Sequence, residues 1–287
     1  MVGLNQILRI RRMHYTDIPF SIRLTNLEGW GITRTDFERI IRLDPRGSFI
    51  ACLGKKREGM VTTTSYGKEI AWVGNVVVKE LARGSHIGQR LVEHAVAYLR
   101  DSGIRKIALY CMWKNVRFYE KLGFVRDVKF VRLHRKAQYR YDSGHDRNFG
   151  DPSPLASMLA VDKKAFGADR SKLLHLLLTD DRHGVIFDSD NRSFLVVKTY
   201  NEMSEFGPWV GTASFDENDG KWIEHITNRY ARKPIEASCL ASNRKVLNVL
   251  KRDGFCVTNV GYRMCYASRQ TIGRDQANFL LGFLDKG

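Results

Sequence analysis

The sequence contains residues that could hold an anion where a β-branched run is followed by an amphipathic helix. The stretch from Val76 to Val96 reads VVVKELARGSHIGQRLVEHAV, and its polar break includes Arg83, Gly84 and Ser85. The N-terminus of a helix offers unpaired backbone N–H groups and the positive end of the helix dipole, and both attract phosphate. Glycine lets an anion approach the backbone, while arginine and serine add donors. The spacing by itself fits either an anion site or an ordinary strand–helix turn.

Two common phosphate loops are absent from this stretch. It has no glycine followed after four spacers by Gly-Lys-Ser or Gly-Lys-Thr, which excludes a nucleoside-triphosphate loop. It also lacks G-x-G-x-x-G, so a dinucleotide-binding fold has no support here. An anion bound at this helix would therefore be held by a loop of another kind.

The composition favours a globular protein with a polyanionic partner. Of the 287 residues, 43% are hydrophobic and 27% are charged, which is the balance of a folded chain rather than a disordered one. The net charge of +16 lies mostly in the first half, because residues 1–150 hold 28 Lys and Arg against 14 Asp and Glu. A basic half is typical of proteins that bind nucleic acid or a phosphorylated small molecule, although a solvated basic surface gives the same composition.

Several features predict a cytoplasmic protein without a membrane partner or a metal. No apolar run approaches the roughly 20 residues that a membrane helix needs. Residues 1–13 lack the apolar core of a signal peptide. The five cysteines are widely spaced and form no C-x-x-C pair, which favours buried, reduced thiols over a zinc or redox site.

The pattern of predicted elements indicates an α/β protein of two units, residues 1–140 and 155–287. Between them, residues 141–154 read YDSGHDRNFGDPSP, which is typical of a linker because it is rich in polar residues, glycine and proline. β-branched runs predict strands in both units, and apolar residues at helical spacing predict the helices between them. A strand and then a short helix ending in Gly-Phe occurs in each unit, as FYEKLGF and as VLKRDGF, which indicates an internal repeat.

Several motifs resemble the GNAT N-acetyltransferase superfamily. VVVKELARGSHIGQRL resembles its acetyl-coenzyme A motif, Arg or Gln followed by x-x-Gly-x-Gly or Ala; Arg83 and Gly88 match it, and His86 stands where the first glycine is usual. FYEKLGF resembles a second signature, whose tyrosine is Tyr119 here. EGWGITRTDF, LDPRGSFIA and SYG are similar to a two-domain branch of the superfamily, as are FGPWVG and NRKVLNVLKRDGF in the second half. The resemblance extends over nearly the whole chain.

This resemblance implies a fold and an activity. The fold would be two tandem GNAT-like domains, each a twisted, mostly antiparallel mixed sheet flanked by helices, with splayed central strands in the first. The activity would be transfer of an acetyl group from acetyl-coenzyme A (acetyl-CoA) to a primary amine of a small-molecule or amino-acid-like acceptor by direct attack.

The resemblance also implies roles for individual residues. Backbone groups of the strand that ends at Val78 would pair with the pantetheine arm, and an N–H near Val76 would hold the oxyanion. Tyr119 would be the acid that protonates the leaving thiolate, since a phenol with a pKa of about 10 can donate to it. The cofactor-binding residues implied in this way are Val76, Val77, Val78, Arg83, Gly84, Ser85, His86, Ile87, Gly88 and Gln89.

The acceptor side leaves alternatives open. Trp30 lies in the EGWG stretch, where this family shapes its acceptor pocket, and it would either stack on the acceptor or only cap the core. Glu28 and Glu69 are both candidates for the base that deprotonates the amine, and neither is preferred. We expect His86 to pack or hydrogen-bond near the phosphates as a neutral group, because a helix N-terminus disfavours a cation.

The second half departs from the cofactor motif. Asp216, Glu217 and Asp219 stand where the first half has its anion loop, and Leu250 stands where the first half has Tyr119. Carboxylates repel a pyrophosphate, so we expect the second domain to lack a coenzyme A site of its own. Its expected work is to cover the sheet of the first domain and to wall the acceptor site.

Two functions of other classes compete with the enzyme. One is a pseudo-enzyme that senses a coenzyme A ligand, which the replacement of glycine by His86 would suit. The other is a nucleic-acid-binding protein on the same fold, for which the basic run KFVRLHRKAQYR is the evidence. Against nucleic acid, this run alternates as a strand does, and coenzyme A is itself polyanionic. Two fused domains favour a monomer, and a dimer stays open.

Overall fold

A computed structural model describes residues 7–138, 155–188 and 192–287. The linker predicted at residues 141–154 lies outside these ranges and stays a prediction. In the first half the elements are β1 (Leu8–Arg12), α1 (Ile18–Leu27), α2 (Arg34–Leu43), β2 (Phe49–Leu53), β3 (Lys56–Tyr66), β4 (Ile70–Val78), α3 (Ile87–Asp101), β5 (Lys106–Met112), α4 (Val116–Glu120) and β6 (Phe124–Arg135).

The second half repeats much of this order. Its elements are α5 (Leu155–Phe166), α6 (Ser171–Leu178), β7 (His183–Phe187), β8 (Ser193–Thr199), β9 (Ser204–Gly211), α7 (Glu217–Arg229), β10 (Ile235–Leu240), α8 (Arg244–Arg252), β11 (Cys256–Tyr266) and β12 (Asn278–Leu280). The α/β fold class, with a largely antiparallel mixed sheet flanked by helices, is confirmed.

Two helices of the first half show how local sequence specifies an element. α2 begins after Thr33, whose hydroxyl accepts the N–H of Asp36 (3.4 Å), while the Asp36 carboxylate accepts the N–H of Thr33 (3.0 Å). This reciprocal cap satisfies two donors that the helix leaves free. α3 instead depends on an apolar stripe at helical spacing. Its buried members are Ile87, Leu91, Val92, Ala95, Val96 and Leu99.

All twelve strands of the described residues join one sheet. Its order is β1-β2-β3-β4-β5-β11-β6-β10-β9-β8-β7, and β12 pairs with β9 off this path. Every pairing is antiparallel except β4 with β5 and β9 with β10. These two parallel pairs occupy corresponding places in the two halves, which gives the sheet its internal pseudo-symmetry.

The two halves exchange their last long strands. β11 of the second half lies between β5 and β6 of the first, and β6 pairs on its other side with β10 of the second. The halves therefore share hydrogen-bond ladders, and neither sheet is continuous without a strand of the other.

Helices cover both faces of the first half's sheet. α3 packs on one face with residues such as Ala71 and Val73, and α1 and α2 pack on the other. Helix α5 of the second half covers a further part of the face on which α1 and α2 pack. There Trp72 of β4 stacks on Tyr110 of β5 (ring centroids 4.7 Å apart) and contacts Phe166 of α5. Within the described ranges, no helix has the length and apolar character required to cross a membrane.

Candidate functional site

The candidate site lies where β4 and β5 diverge. The two strands pair only through Ile70–Trp72 and Lys106–Ala108. Beyond these residues β5 continues to pair with β11, whereas the edge of β4 that faces β5 meets no further strand among the described residues. The splayed central strands expected for the first half are therefore present, and they leave backbone donors and acceptors of residues 73–78 at an open gap.

A bulge interrupts β4 inside this gap. Thr62 of β3 lies opposite Gly74, and Met60 lies opposite Val77, so β4 carries one extra residue between these pairs. Asn75 absorbs the irregularity with a φ of +50°. Bulges twist a strand and redirect its groups, and this one lies directly before Val76, the residue expected to contribute the oxyanion donor.

The N-terminus of α3 opens at the end of the same strand. A short 3₁₀ turn at Glu80–Ala82 leads from β4 to residues 83–86, and α3 begins at Ile87. The side chain of His86, the N-cap residue, makes no capping hydrogen bond with this helix. Its first-turn N–H groups therefore remain as donors for an anion, supported by the helix dipole.

His86 adopts the backbone conformation that glycine favours. Its φ is +60° and its ψ is +7°, in the left-handed region. An L-residue there costs about 1–2 kcal/mol, and histidine is among the types that tolerate it best. The imidazole is exposed, with Nδ1 3.2 Å from Oε1 of Gln89. His86 therefore adopts a backbone conformation that a glycine would also allow at this position, and its side chain lies against the first turn of α3.

The two glycines of the loop differ in what they do. Gly84 has a φ of +83° and faces open space. Gly88 would accept a Cβ without conflict, because the nearest atoms, on Phe118 and Val78, would lie 3.6 Å away. The fold therefore does not itself require glycine at position 88, and the bare backbone there leaves room for something outside the chain.

Arg83 ties this loop to the connection between α1 and α2. Its Nε donates to the carbonyl of Val78 (3.1 Å), and its guanidinium forms an ion pair with Glu28. Trp30, two residues after Glu28, is 42% exposed and so does not serve as a core residue. The structure thus brings Trp30 and Glu28 to the same rim of the gap as the anion loop.

Tyr119 lies in α4 and belongs to the apolar cluster that contains the buried face of α3. It is 8% exposed and packs edge-on against Phe118 and Phe124. Burial, with a smaller contribution from Cys111, raises the pKa of the Tyr119 phenol above its ordinary value. Its hydroxyl makes no hydrogen bond with any residue in the described ranges, so it remains a donor without an assigned acceptor.

Glu69 is not part of this arrangement. It precedes β4 at the strand's opposite end, and its carboxylate binds Arg105 (2.8 Å) on the surface. A strand rises about 3.3 Å per residue, so the length of β4 places Glu69 roughly 20 Å or more from the bulge. Of the two carboxylates considered as a base, only Glu28 is near the gap.

Comparison with known proteins identifies the first half. Residues 12–124 match the sequence model of the Acetyltransferase (GNAT) family. Residues 12–124 form a GNAT domain. The matched range contains the bulge, the anion loop, α3 and Tyr119, so the family assignment and the geometry of the site coincide.

One relative and two solved structures define the similarity further. The chain is 40% identical over 62 residues to serotonin N-acetyltransferase 2, chloroplastic, of Oryza sativa subsp. japonica; the match spans 22% of this chain and 31% of that protein. A putative acetyltransferase from Pyrococcus horikoshii is 21% identical, covers 100% of this chain and 99% of its own, and has a TM-score of 0.81. A tandem GNAT protein from the clavulanic acid biosynthesis pathway is 13% identical over 92% of this chain and 100% of its own, with a TM-score of 0.67. The tandem GNAT fold expected from the sequence is confirmed.

In the second GNAT-like half, the chain's own residues occupy the positions that correspond to the helix N-terminus and the strand gap of the first half. Its helix α7, which corresponds to α3, is capped by Asp216, whose carboxylate accepts the N–H groups of Asn218 (2.8 Å) and Asp219 (3.0 Å). β9 and β10 also diverge after three parallel pairs, but β12 pairs with β9 there, and the N–H of Leu281 donates to the carbonyl of Ser238 in β10 (2.8 Å). These contacts use donors and acceptors at the positions that correspond to the site of the first half. The expectation that this half has no coenzyme A site stays a prediction.

A second concavity lies away from the gap. Its volume is about 540 Å³, and it lies between residues 212–214 and 269–277. Arg263 in its wall is already bound to Asp127 (2.6 Å) and Asp275 (2.9 and 3.1 Å). Among the described residues, its lining includes no histidine, cysteine or tyrosine. The gap between β4 and β5 of the first half, here called the GNAT gap, therefore remains the stronger candidate for chemistry.

Sequence reasoning missed the residues that the C-terminal segment brings to the GNAT gap. Asn75 of the bulge donates from Nδ2 to Oδ2 of Asp285 (3.0 Å) and to Oγ1 of Thr62 (3.0 Å). A Gly-Asn pair inside a β-branched run is a sign of a bulge, and it could have directed attention to Asn75. Nothing local in the sequence connects position 285 to position 75.

Proposed function

We propose that this protein is an acetyl-CoA-dependent N-acetyltransferase that acetylates a primary amine of a small-molecule or amino-acid-like acceptor. The observation that carries the proposal is the uncapped N-terminus of α3 beside the open edge of β4. The free N–H groups of the first turn of α3 meet the space beside Gly88 there, and the chain itself uses neither. A diphosphate attached to an extended amide-bearing arm fits both.

The residues present fit the pyrophosphate and the pantetheine arm of coenzyme A. The first-turn amides of α3 and Arg83 would hold the pyrophosphate. Backbone groups of Val76–Val78 would pair with the amides of the pantetheine arm as an added strand would. When bound, acetyl-CoA supplies a thioester, whose carbonyl carbon an amine can attack directly. Metal chemistry is not needed for such a transfer.

Groups of the chain itself stabilise the negative charge that develops during acyl transfer. The N–H at the bulge, near Val76, stabilises negative charge that develops on the carbonyl oxygen. Tyr119 donates its hydroxyl proton in a hydrogen bond toward the leaving sulfur. Because burial raises the pKa of this phenol, the neutral form persists and remains a donor. We therefore assign Tyr119 the stabilisation of the departing thiolate.

An amine acceptor is supported by two observations. The relative with 40% identity over 62 residues is named a serotonin N-acetyltransferase, and the match of this chain to it spans only part of each protein. Trp30, exposed at the rim of the gap, could stack on an aromatic or aliphatic part of such an acceptor.

Thermal-shift titration tests cofactor binding first. Acetyl-CoA at 100 times its Kd should stabilise the fold by about 2.7 kcal/mol, or roughly 5–10 °C in melting temperature. An oligonucleotide at equal charge concentration should give no comparable shift; the reverse result would favour nucleic acid instead.

Free-thiol release with a panel of primary amines then tests the reaction. Turnover that depends on an amine supports the transferase. Binding of acetyl-CoA without thiol release for any amine would contradict it and favour a sensor. Omitting the amine from the same mixture is the matched control for slow hydrolysis of the thioester.

A further inference from the structure

The C-terminal segment, residues 281–287, runs from the second half onto the GNAT gap of the first. Its backbone carbonyls are held at three points by buried donors. The Nζ of Lys198 donates to the carbonyl of Gly282 (2.7 Å), and the hydroxyl of Tyr66 donates to that of Lys286 (2.7 Å). The guanidinium of Arg170 donates to the carbonyl of Gly287 (2.8 Å). Donors from both halves thus fix the path of the segment.

The segment makes its closest approach at Gly74, just before the bulge. A Cβ at Gly74 would lie 2.9 Å from the Cα of Asp285, which is closer than real side chains come. The absence of a side chain at this position therefore lets Asp285 lie on β4. Asn75 then holds the Asp285 carboxylate through its Nδ2 (3.0 Å). The carboxylate is thereby placed one residue from Val76.

We propose that Asp285, supplied by the second half, binds the ammonium group of the acceptor and removes its proton. This inference rests on the proposed acetyl transfer. The Asp285 side chain is 20% exposed, so solvent reaches its carboxylate. Asp285 differs from the other two candidate carboxylates in its direct contact with the bulge through Asn75. The carboxylate of Glu28 contacts Arg83 at the rim of the gap instead, and Glu69 lies at the opposite end of β4.

The hydrogen bonds already made leave room for a further donor. Oδ2 of Asp285 accepts from Asn75 (3.0 Å) and from the Nζ of Lys286 (2.7 Å), and Oδ1 accepts from the same Nζ (3.0 Å). A carboxylate has about four acceptor positions, so Oδ1 can take one more N–H. Lys286 also shows that the place tolerates an ammonium group beside this carboxylate.

The protons balance as follows. One N–H bond of the ammonium breaks and an O–H bond forms at Asp285, which leaves the nitrogen lone pair free to attack the thioester carbon. The C–N bond forms as the C–S bond breaks, with the electron pair leaving on sulfur. A second nitrogen proton ends on that sulfur, the third stays on the amide, and Asp285 releases its proton to water.

The test is a kinetic comparison of Asp285→Asn with wild type and with Glu69→Gln. Asparagine keeps an oxygen for Asn75 and removes only the charge, so kcat/KM for the amine should fall about 10- to 100-fold. The KM for acetyl-CoA should change less than twofold. Glu69→Gln removes a carboxylate at the far end of β4 and should change neither parameter.

A second variant guards against loss of folding. Asp285→Glu retains the charge and should recover much of the amine kcat/KM that asparagine loses, with melting temperatures recorded for both. If the Asp285→Asn variant and the wild type have equal kcat/KM for the amine, this inference is overturned, but the proposed acetyl transfer is not. Equal losses for amine and acetyl-CoA would also overturn it, because they indicate a structural role. A wild-type protein inert toward every amine overturns both proposals.

Discussion

Replacing Tyr119 with phenylalanine removes one hydroxyl and little else. The ring is 8% exposed and held by edge contacts to Phe118 (5.0 Å between centroids) and Phe124 (5.9 Å), which phenylalanine can keep. The hydroxyl gives up no hydrogen bond to the residues of the described ranges. Tyr119→Phe should therefore change the free energy of unfolding by less than about 1 kcal/mol.

The size of the kinetic effect follows from the direction of the pKa shift. An ordinary tyrosine has a pKa of about 10 and a thiol one of about 8.5, so complete proton transfer from phenol to thiolate is uphill by roughly 2 kcal/mol. Burial raises the Tyr119 pKa further and makes complete transfer still less favourable. A hydrogen bond to the developing thiolate avoids this cost. Losing one bond to a charged group should lower kcat about 10- to 100-fold.

The same shift fixes the pH dependence. A phenol whose pKa is raised by burial stays protonated up to and beyond pH 10, so ionisation of Tyr119 should cause no decline of kcat between pH 7 and 10. The wild-type and Tyr119→Phe profiles should run parallel across this range. A basic limb in the wild-type profile that disappears in Tyr119→Phe would show that the phenol ionises and would refute the reasoning.

The assay is free-thiol release at saturating acetyl-CoA and amine, with Tyr98→Phe as the matched control. Tyr98 lies on α3, and its hydroxyl donates to Asp44 (2.8 Å). Its removal should lower stability by about 1 kcal/mol and leave kcat unchanged. A Tyr119→Phe enzyme with kcat within twofold of wild type would remove Tyr119 from the mechanism.

Three further substitutions test the loop before α3 and a buried ion pair in the second half. Arg83→Ala should raise the KM for acetyl-CoA about tenfold with little change in kcat, and an unchanged KM would mean that Arg83 does not leave Glu28 for the pyrophosphate. His86→Gly should stabilise the protein by about 0.5–1 kcal/mol in thermal melts, because it relieves a left-handed backbone, whereas a lower melting temperature would show that the imidazole contact matters more. Asp162→Asn leaves the buried guanidinium of Arg170 without its carboxylate (2.7 and 2.8 Å) and should cost about 3–5 kcal/mol in denaturant unfolding; a loss below 1 kcal/mol would contradict this.

Elements with a strong local pattern were predictable from the sequence. The apolar stripe of α3 and the β-branched run of β4 carry their own periodicity, and the polar break between them lies where the helix begins. β9 was not predicted as a strand, because Gly207 and Pro208 interrupt its run and read as a turn. β12 was missed because three residues carry no period.

Pairing between distant strands was not predictable in the same way. β5 and β11 are each apolar runs that could pair with many partners, and nothing local indicates that β11 enters the first half beside β5. The exposed surface gives a similar lesson. Glu28 and Glu69 were equivalent candidates in the sequence, and only the fold separates them by the length of β4.

The contrast between α3 and α7 gives a physical reason to expect the cofactor site in the first half and not in the second. Both helices follow a strand that splays from its parallel neighbour after three pairs. α7 satisfies its own first turn with Asp216, and β12 fills the adjacent gap, so the donors there are spent within the chain. His86, the N-cap residue of α3, makes no capping hydrogen bond, and Asn75 holds the carboxylate of Asp285 at the gap beside this helix. The segment that follows β12 thus leaves the gap of the second half and continues onto the first half. If Asp285 acts as proposed, residues 12–124 alone hold the cofactor site but not the complete acceptor site.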